Sequence, residues 1–432
     1  MDLFEYREGR LYCEDAPVAD LARQYGTPLY IYSAGTLRRH YRKLTAAFAP
    51  VRPLICYSVK ACSNIHVLAL LAEEGSGFDL VSGGELYRVI EAGGDPAKCC
   101  YAGVGKTDAE IRFALDRGIR LFNVESEEEL ENLAHLAAET GRYARAALRV
   151  NPDVDPKTHR YIATGKKESK FGVDIERAER VYRAFAAGPG ARHVELTGID
   201  MHIGSQIKTV EPYVQALTKV LRLIESLRAG GLVISTLDMG GGFAADYEDQ
   251  EAPEAEVFAK ALLPLLAGAD AEIIMEPGRF IAGNTGILVT EVQYVKVGGD
   301  RRFVLCDSGW HHLIRPALYG SYHHVWPVEA GEKFSPKLRT RDEVFPGMEF
   351  VDVVGPTCES TDFFARDRHL PPVRRGDLLA IFSAGAYGMT MASEYNSFPR
   401  PAEVLVEGNA ARLIRRRGTY EDLVAPEKEI GA

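Results

Sequence analysis

The sequence predicts an α/β protein built as a (β/α)8 TIM-type barrel followed by a mostly β C-terminal domain. Three observations carry this expectation. Eight short apolar, β-branched runs followed by Gly, Ser, Asn or Asp lie between residues 54 and 279, separated by amphipathic stretches rich in Ala, Leu and Glu. Strand and helix thus alternate about eight times over roughly 230 residues, the length of one such barrel. After about residue 285 the texture changes to shorter alternating runs bounded by Gly and Pro.

The eight candidate strands are LICYSV from 54, FDLVS from 78, CCYAG from 99, LFNVES from 121, AALRVN from 146, LTGIDMHIG from 196, TLDMGGG from 236 and EIIMEPG from 272. Between them, EEELENLAHLAAE (127–139) and VEPYVQALTKVLRLIESLRAGG (210–231) carry apolar residues at helical spacing, and the second ends in a Gly pair suited to a helix stop. A doubly wound sheet is the main competitor. The chemically interesting residues, however, close many different candidate strands, which a barrel gathers into one ring and an open sheet spreads out.

The later runs GILVTEVQYVKV, RRFVLCD, FVDVVG, LLAIFSA and AEVLVEG read as strands of a second domain. Near the N-terminus, RLYCEDAPVADLARQYGTPLYIYS is strand-like in places and is expected to join that domain. The expected division is therefore 1–30 with the β domain, 31–285 as the barrel and 286–432 as the C-terminal β-rich domain.

At 432 residues the chain exceeds what one hydrophobic core supports, and 46% hydrophobic with 26% charged residues is ordinary globular composition. A net charge of -10 gives no general attraction to nucleic acid or anionic lipid, and Arg415–Arg417 is the longest basic run. No window approaches the roughly 18 apolar residues of a membrane span, and MDLFEYREGR has acidic residues where an export signal is basic. A cytoplasmic location is expected. Seven cysteines, an odd number, then read as reduced thiols, and Cys99–Cys100 lacks the spacing of a zinc knuckle.

Lys60 closes the first candidate strand in YSVKACSN, where its amine would point into the barrel mouth. Most lysines at strand ends are solvated, but a desolvated one can form a Schiff base. DMGGGF (238–243) places Gly240, Gly241 and Gly242 where a strand turns over, so that backbone N–H groups can approach a phosphate. EPGR (276–279) ends the eighth strand, close to where barrels tend to build phosphate sites. If the ligand is pyridoxal 5'-phosphate (PLP), Glu276 would keep the pyridine nitrogen protonated and favour decarboxylation over racemisation. In MHIGSQ (201–206), His202 could stack on a flat ring and Ser205 could donate to a phosphate oxygen, or the histidine could be a satisfied core residue.

Together YSVKACSN, FDLVSGGEL, THRYIATGKKESKFGV, MHIGSQI, DMGGGF, EPGR, LIRPALYGSYH, GPTCESTD and GAYGMTMASEYNSFPRPAEV resemble, in the same order, the motifs of the diaminopimelate decarboxylase family of fold-type III PLP enzymes. The resemblance runs from about residue 25 to 405. It implies that Lys60 carries the PLP, that His202 covers one ring face, and that Glu276 pairs with the ring nitrogen. Gly240 to Gly242, Ser205, Gly278, Arg279 and Tyr387 would hold the phosphate end. Arg279, Arg315 and Tyr319 would grip the distal carboxylate of an amino-acid substrate, with Tyr387 beside it. The resemblance also implies a homodimer with active sites at the interface. In it Cys358 of a second copy donates the proton after CO2 leaves, and Glu359 of that copy contacts the distal amino group.

The implied reaction is decarboxylation of meso-2,6-diaminopimelate to L-lysine, a step of lysine biosynthesis. Alternatives are a same-fold decarboxylase of another amino acid or a carrier-bound acyl group, and a non-catalytic PLP-binding regulatory homologue. Paired Arg279 and Arg315 argue for a distal carboxylate, while the presence of Lys60 and Cys358 argues against the regulatory reading. Three positions depart from the family pattern, Thr361, Glu394 and Phe398, as does TrpHisHis at 310–312, and they bear on fine specificity. No metal is expected. The pairs His311–His312 and His323–His324, read as strand residues, would point to opposite faces.

Overall fold

The computed structural model describes residues 2–155, 170–248, 252–428 and 430. Most of the motif at 158–173 lies outside the described residues. The chain divides into two compact units: His40–Ala244 with Ala252–Ile281, and Met1–Arg39 with Ala245–Glu251 and Ala282–Ala432.

The first unit is a closed barrel of eight parallel strands, Leu54–Ser58, Gly77–Leu80, Cys99–Tyr101, Leu121–Val124, Ala144–Asn151, Val194–Asp200, Thr236–Asp238 and Glu272–Met275. Closure comes from the eighth strand pairing with the first, Ile274 opposite Leu54 and Met275 opposite Ile55. All eight expected strands are present. Cys56, Cys100, Leu121, Ala147 and Ile274 pack together as a buried cluster on five of them, small and medium side chains that fit a narrow interior.

Helices follow the strands for local reasons. Thr107 and Glu110 form a reciprocal capping box that starts Asp108–Arg117, and the Ser126 hydroxyl accepts from the Glu129 amide to start Glu127–Thr140. The helix Glu211–Ala229 buries Tyr213, Leu217, Val220, Ile224 and Leu227 at helical spacing. It stops at the expected Gly pair, where Gly231 takes φ +84° and its amide bonds back to the Arg228 carbonyl.

The second unit is a mixed sheet. Its hydrogen-bonded order is Phe363–Leu370, Glu349–Val354, Arg301–Cys306, Gly286–Gly298, Leu29–Ser33, Ala402–Glu407, Ala410–Arg415. Leu29–Ser33 runs parallel to Ala402–Glu407 and antiparallel to Gly286–Gly298, so this strand of the N-terminal segment is an interior strand of the sheet. All five of its residues are buried, as a central strand requires. Gly286–Gly298 also pairs with Leu378–Ile381, extending the sheet around a second edge.

Two features correct the sequence reading. Phe363–Leu370 and Ala410–Arg415 are strands that periodicity did not disclose. His311 and His312 lie in a turn, their rings 3.8 Å apart, and the strand geometry expected for them does not hold.

Candidate active site

In the barrel unit, polar side chains converge from the C-terminal ends of seven strands. Lys60 follows the first, Asp79 lies on the second, Asn123 on the fourth and Arg149 on the fifth, Asp200 ends the sixth, Asp238 ends the seventh and Glu276 follows the eighth. The five that lie on strands interrupt apolar runs and are turned inward by strand alternation.

The Lys60 Nζ lies 2.6 Å from Asp79 Oδ2, and Asp79 is fully buried. Asn123 Nδ2 donates to both Asp238 Oδ2 at 3.0 Å and Glu276 Oε1 at 3.2 Å, holding two carboxyl groups side by side. The Gly240 amide donates to the other Asp238 oxygen at 2.9 Å. One oxygen from each of Asp200, Asp238 and Glu276 lies within 4.8 Å of the others. Such crowding in a buried site disfavours ionisation: burial foremost, then the charges of Asp238, Asp79 and Asp200, pushes Glu276 well above the usual carboxylate range. Asp200 and Asp238 are raised as well, again by burial first.

Arg149 offsets this acidity from within. It is buried, its Nη1 donates to Glu125 at 2.8 Å, its Nε lies 3.8 Å from Asp200, and its Nη2 reaches the His202 carbonyl at 3.4 Å. His202 is held neutral, its pKa driven well below the ordinary value by burial and then by the Arg149 and Lys60 charges. Its Nδ1 accepts from the Gly241 amide at 3.2 Å, which leaves the proton on Nε2 and fixes the ring plane.

The three glycines are required sterically. A Cβ on Gly241 would stand 2.0 Å from the Glu276 carbonyl oxygen, and one on Gly240, at φ +63°, would meet the Met201 carbonyl at 2.6 Å. The segment is thereby drawn against both neighbouring strand ends, with the Glu276 amide bonded to the Gly240 carbonyl at 2.8 Å. Ser205 accepts from Arg279 Nε at 3.0 Å, bringing those two expected residues together, and Gly278 packs against Ser58 and Ala61.

The remaining expected residues belong to the other unit and form two groups there. Arg315 is buried, donates to Ser321 Oγ at 3.2 Å, and has the rings of Tyr247, Tyr319 and Tyr387 centred 4.9, 5.8 and 6.0 Å from its guanidinium carbon. Tyr387 itself sits at φ 57°, a costly conformation for a non-glycine residue. Cys358 and Glu359 are exposed on the turn between Glu349–Val354 and Phe363–Leu370, and the Tyr395 hydroxyl lies 2.6 Å from Glu359 Oε1.

Sequence reading missed Asp79, Asn123, Arg149, Asp200, Asp238 and Tyr247. All but Tyr247 sat inside quoted strands, and the interruption of an apolar run by a polar residue was the available signal.

The barrel site fits PLP on its own terms. Asp79 Oδ1, Asn123 Oδ1 and Asp200 Oδ1 are buried without a hydrogen-bond partner among the described residues, beside an amine, a neutral imidazole and a glycine cradle no Cβ could enter.

Residues 34–283 match the family model for the pyridoxal binding domain of pyridoxal-dependent decarboxylases. The chain is 47% identical to diaminopimelate decarboxylase of Aquifex aeolicus, the match spanning 99% of this chain and 97% of that one. It is 48% identical to the Vibrio cholerae enzyme of the same name over 99% of both. The crystal structure of diaminopimelate decarboxylase from Helicobacter pylori complexed with L-lysine superposes with a TM-score of 0.88 at 38% identity, covering 95% of this chain and 99% of that one. With a closed parallel barrel, a lysine at the end of its first strand and full-length similarity of this degree, the chain belongs to the diaminopimelate decarboxylase family of pyridoxal-dependent decarboxylases.

Proposed function

We propose that this chain binds PLP at the barrel mouth and decarboxylates meso-2,6-diaminopimelate to L-lysine and CO2. The observation that carries the reading is the Lys60 amine poised 2.6 Å from Asp79 among inward-facing groups of the barrel, in a chain 47% identical over its length to a diaminopimelate decarboxylase. Bound PLP supplies the electron sink for the pair released as the carboxylate leaves.

Lys60 anchors the cofactor through its amine. Glu276 holds a proton on the ring nitrogen, and its crowding by Asp238 and Asp200 makes a proton shared within the group natural. Neutral His202 presents a flat face fixed by the Gly241 amide. Gly240 to Gly242, Gly278, Ser205 and Tyr387 bind the phosphate, with the Arg279 backbone. Arg279, Arg315 and Tyr319 recognise the distal carboxylate, which selects a diamino diacid over ornithine or arginine. Cys358 returns a proton to the carbon that lost CO2, and Glu359 pairs with the distal ammonium.

These last two residues act from a second copy, so the working enzyme is a homodimer. The described cysteines are all free thiols, which supports a cytoplasmic enzyme. The two-part reading of the chain, barrel then β-rich domain with the N-terminal segment, accords with this division of roles. Incubating the PLP-loaded protein with meso-diaminopimelate should release lysine and CO2 in equal amounts. Turnover of another amino acid with no lysine formed would overturn the substrate assignment.

A further inference from the structure

The turn that carries Cys358 and Glu359 is not a loose loop. It is docked by a buried carboxylate: Asp362, 4% exposed, accepts from the Trp310 amide and the Thr357 amide, each at 2.7 Å. Two glycines make room for that carboxylate, since a Cβ on Gly309 or Gly355 would stand 2.2 or 2.3 Å from Asp362 Oδ1. Trp310 closes the bracket by donating from Nε1 to Thr357 Oγ1 at 2.9 Å.

A second turn meets the first. The Tyr395 ring packs edge-on against Trp310 at 5.2 Å, and its hydroxyl donates to Glu359 Oε1 at 2.6 Å. Next to it, Asn396 Oδ1 accepts from the Cys358 amide at 3.4 Å, from a backbone in which Asn396 and Ser397 both hold positive φ, 54° and 58°. Two successive non-glycine residues in that region are an energetic cost the surrounding contacts must offset. The His311 and Phe398 rings, 4.7 Å apart, and the Glu394–Arg400 ion pair at 3.3 Å tie the two turns' flanks together. Trp310, His311, Glu394 and Phe398, each singled out in the sequence, therefore pack around this one feature.

We propose that Tyr395 is a positioning residue for substrate selection, braced by Trp310, which fixes the Glu359 carboxylate as the receptor for an ammonium group at the far end of the substrate. This rests on the reading that Glu359 faces that ammonium. Left to itself, an exposed glutamate samples several rotamers and loses entropy when it binds. A phenol holding one carboxylate oxygen removes that freedom in advance and leaves the second oxygen to the cation. The same hydrogen bond raises the Tyr395 phenol above its ordinary value, as a donor to a carboxylate should be.

The test compares two ligands that differ only in the distal amino group. Decarboxylation at one end of diaminopimelate leaves lysine with its α-amino and carboxyl groups at the far end, and 6-aminohexanoate is lysine without that amino group. By calorimetry on the PLP-loaded protein, Tyr395→Phe should weaken lysine binding by about threefold to tenfold and leave 6-aminohexanoate unchanged. In a Glu359→Gln background the same substitution should have no further effect on lysine. Equal loss for both ligands, or no loss for lysine, would overturn the proposal, as would wild-type protein that binds lysine no tighter than 6-aminohexanoate. Absence of CO2 release from diaminopimelate, with the lysine preference and its Tyr395 dependence intact, would instead remove the proposed reaction and leave this inference standing.

Discussion

Lys60 Nζ and Asp79 Oδ2 are 2.6 Å apart, on a residue following the first barrel strand and a residue of the second. The carboxylate is wholly buried while the lysine side chain is 37% exposed, so Asp79 is the fixed member of the pair and sets where the amine points. Replacing Asp79 with Asn keeps the shape and removes the charge. We expect kcat/KM for diaminopimelate to fall at least about tenfold, with a weaker PLP affinity by absorbance titration. Unchanged kinetics would mean that the amine is oriented by other groups.

Glu276 gives a pH prediction. Its folded-state pKa lies well above its ordinary value of 4.5, from burial and then the Asp238, Asp79 and Asp200 charges. A carboxyl raised on folding contributes stability that is complete below 4.5 and is lost as pH climbs through the folded value. Glu276→Gln abolishes that loss. Thermal melts of the cofactor-free protein should show the variant about 2–4 °C more stable than wild type near pH 8 and no different near pH 4.5, while decarboxylation falls at least about tenfold. A variant less stable than wild type at the higher pH would show that Glu276 is ionised and well compensated in the fold.

Gly241→Ala tests the cradle. Its Cβ would meet the Glu276 carbonyl at 2.0 Å, so the backbone between the seventh and eighth strands must shift. PLP affinity should drop at least about tenfold, whereas Gly408→Ala, at φ +61° with nothing within 4 Å of its Cβ, should cost only about 1 kcal/mol of stability and leave PLP binding alone. Equal effects on PLP binding would remove the glycine segment from the cofactor site.

Assembly is tested by mixing. Lys60→Ala and Cys358→Ala proteins, each inactive, should regain up to about a quarter of wild-type activity on subunit exchange, since half the random dimers are hybrids with one intact site. No recovery despite demonstrated exchange would place all catalytic groups within one chain.

The barrel was legible because each of its strands is a short apolar run closed by a turn residue, and Glu276 stood out by following EIIM directly. Its partners were not. Asn123 meets Asp238 across 115 residues of sequence, and nothing local distinguishes a polar residue that faces such a partner from one that faces water. The strand Phe363–Leu370 was hidden for another reason. It is the sheet's outer strand in the path through Glu349–Val354, and Arg366, Asp367, Arg368 and His369 break the apolar alternation that marks a strand with two neighbours. The His311–His312 turn was read as strand although Gly309 stands two residues before it, because the Asp362 carboxylate that shapes the turn lies about fifty residues on and leaves no local mark.

The central claim is that the amine of Lys60 holds the cofactor. Borohydride reduction of the PLP-loaded protein, followed by peptide mapping, should leave the pyridoxyl group on the peptide containing YSVKACSN and nowhere else. A label on any other lysine, or no label at all, would contradict the account.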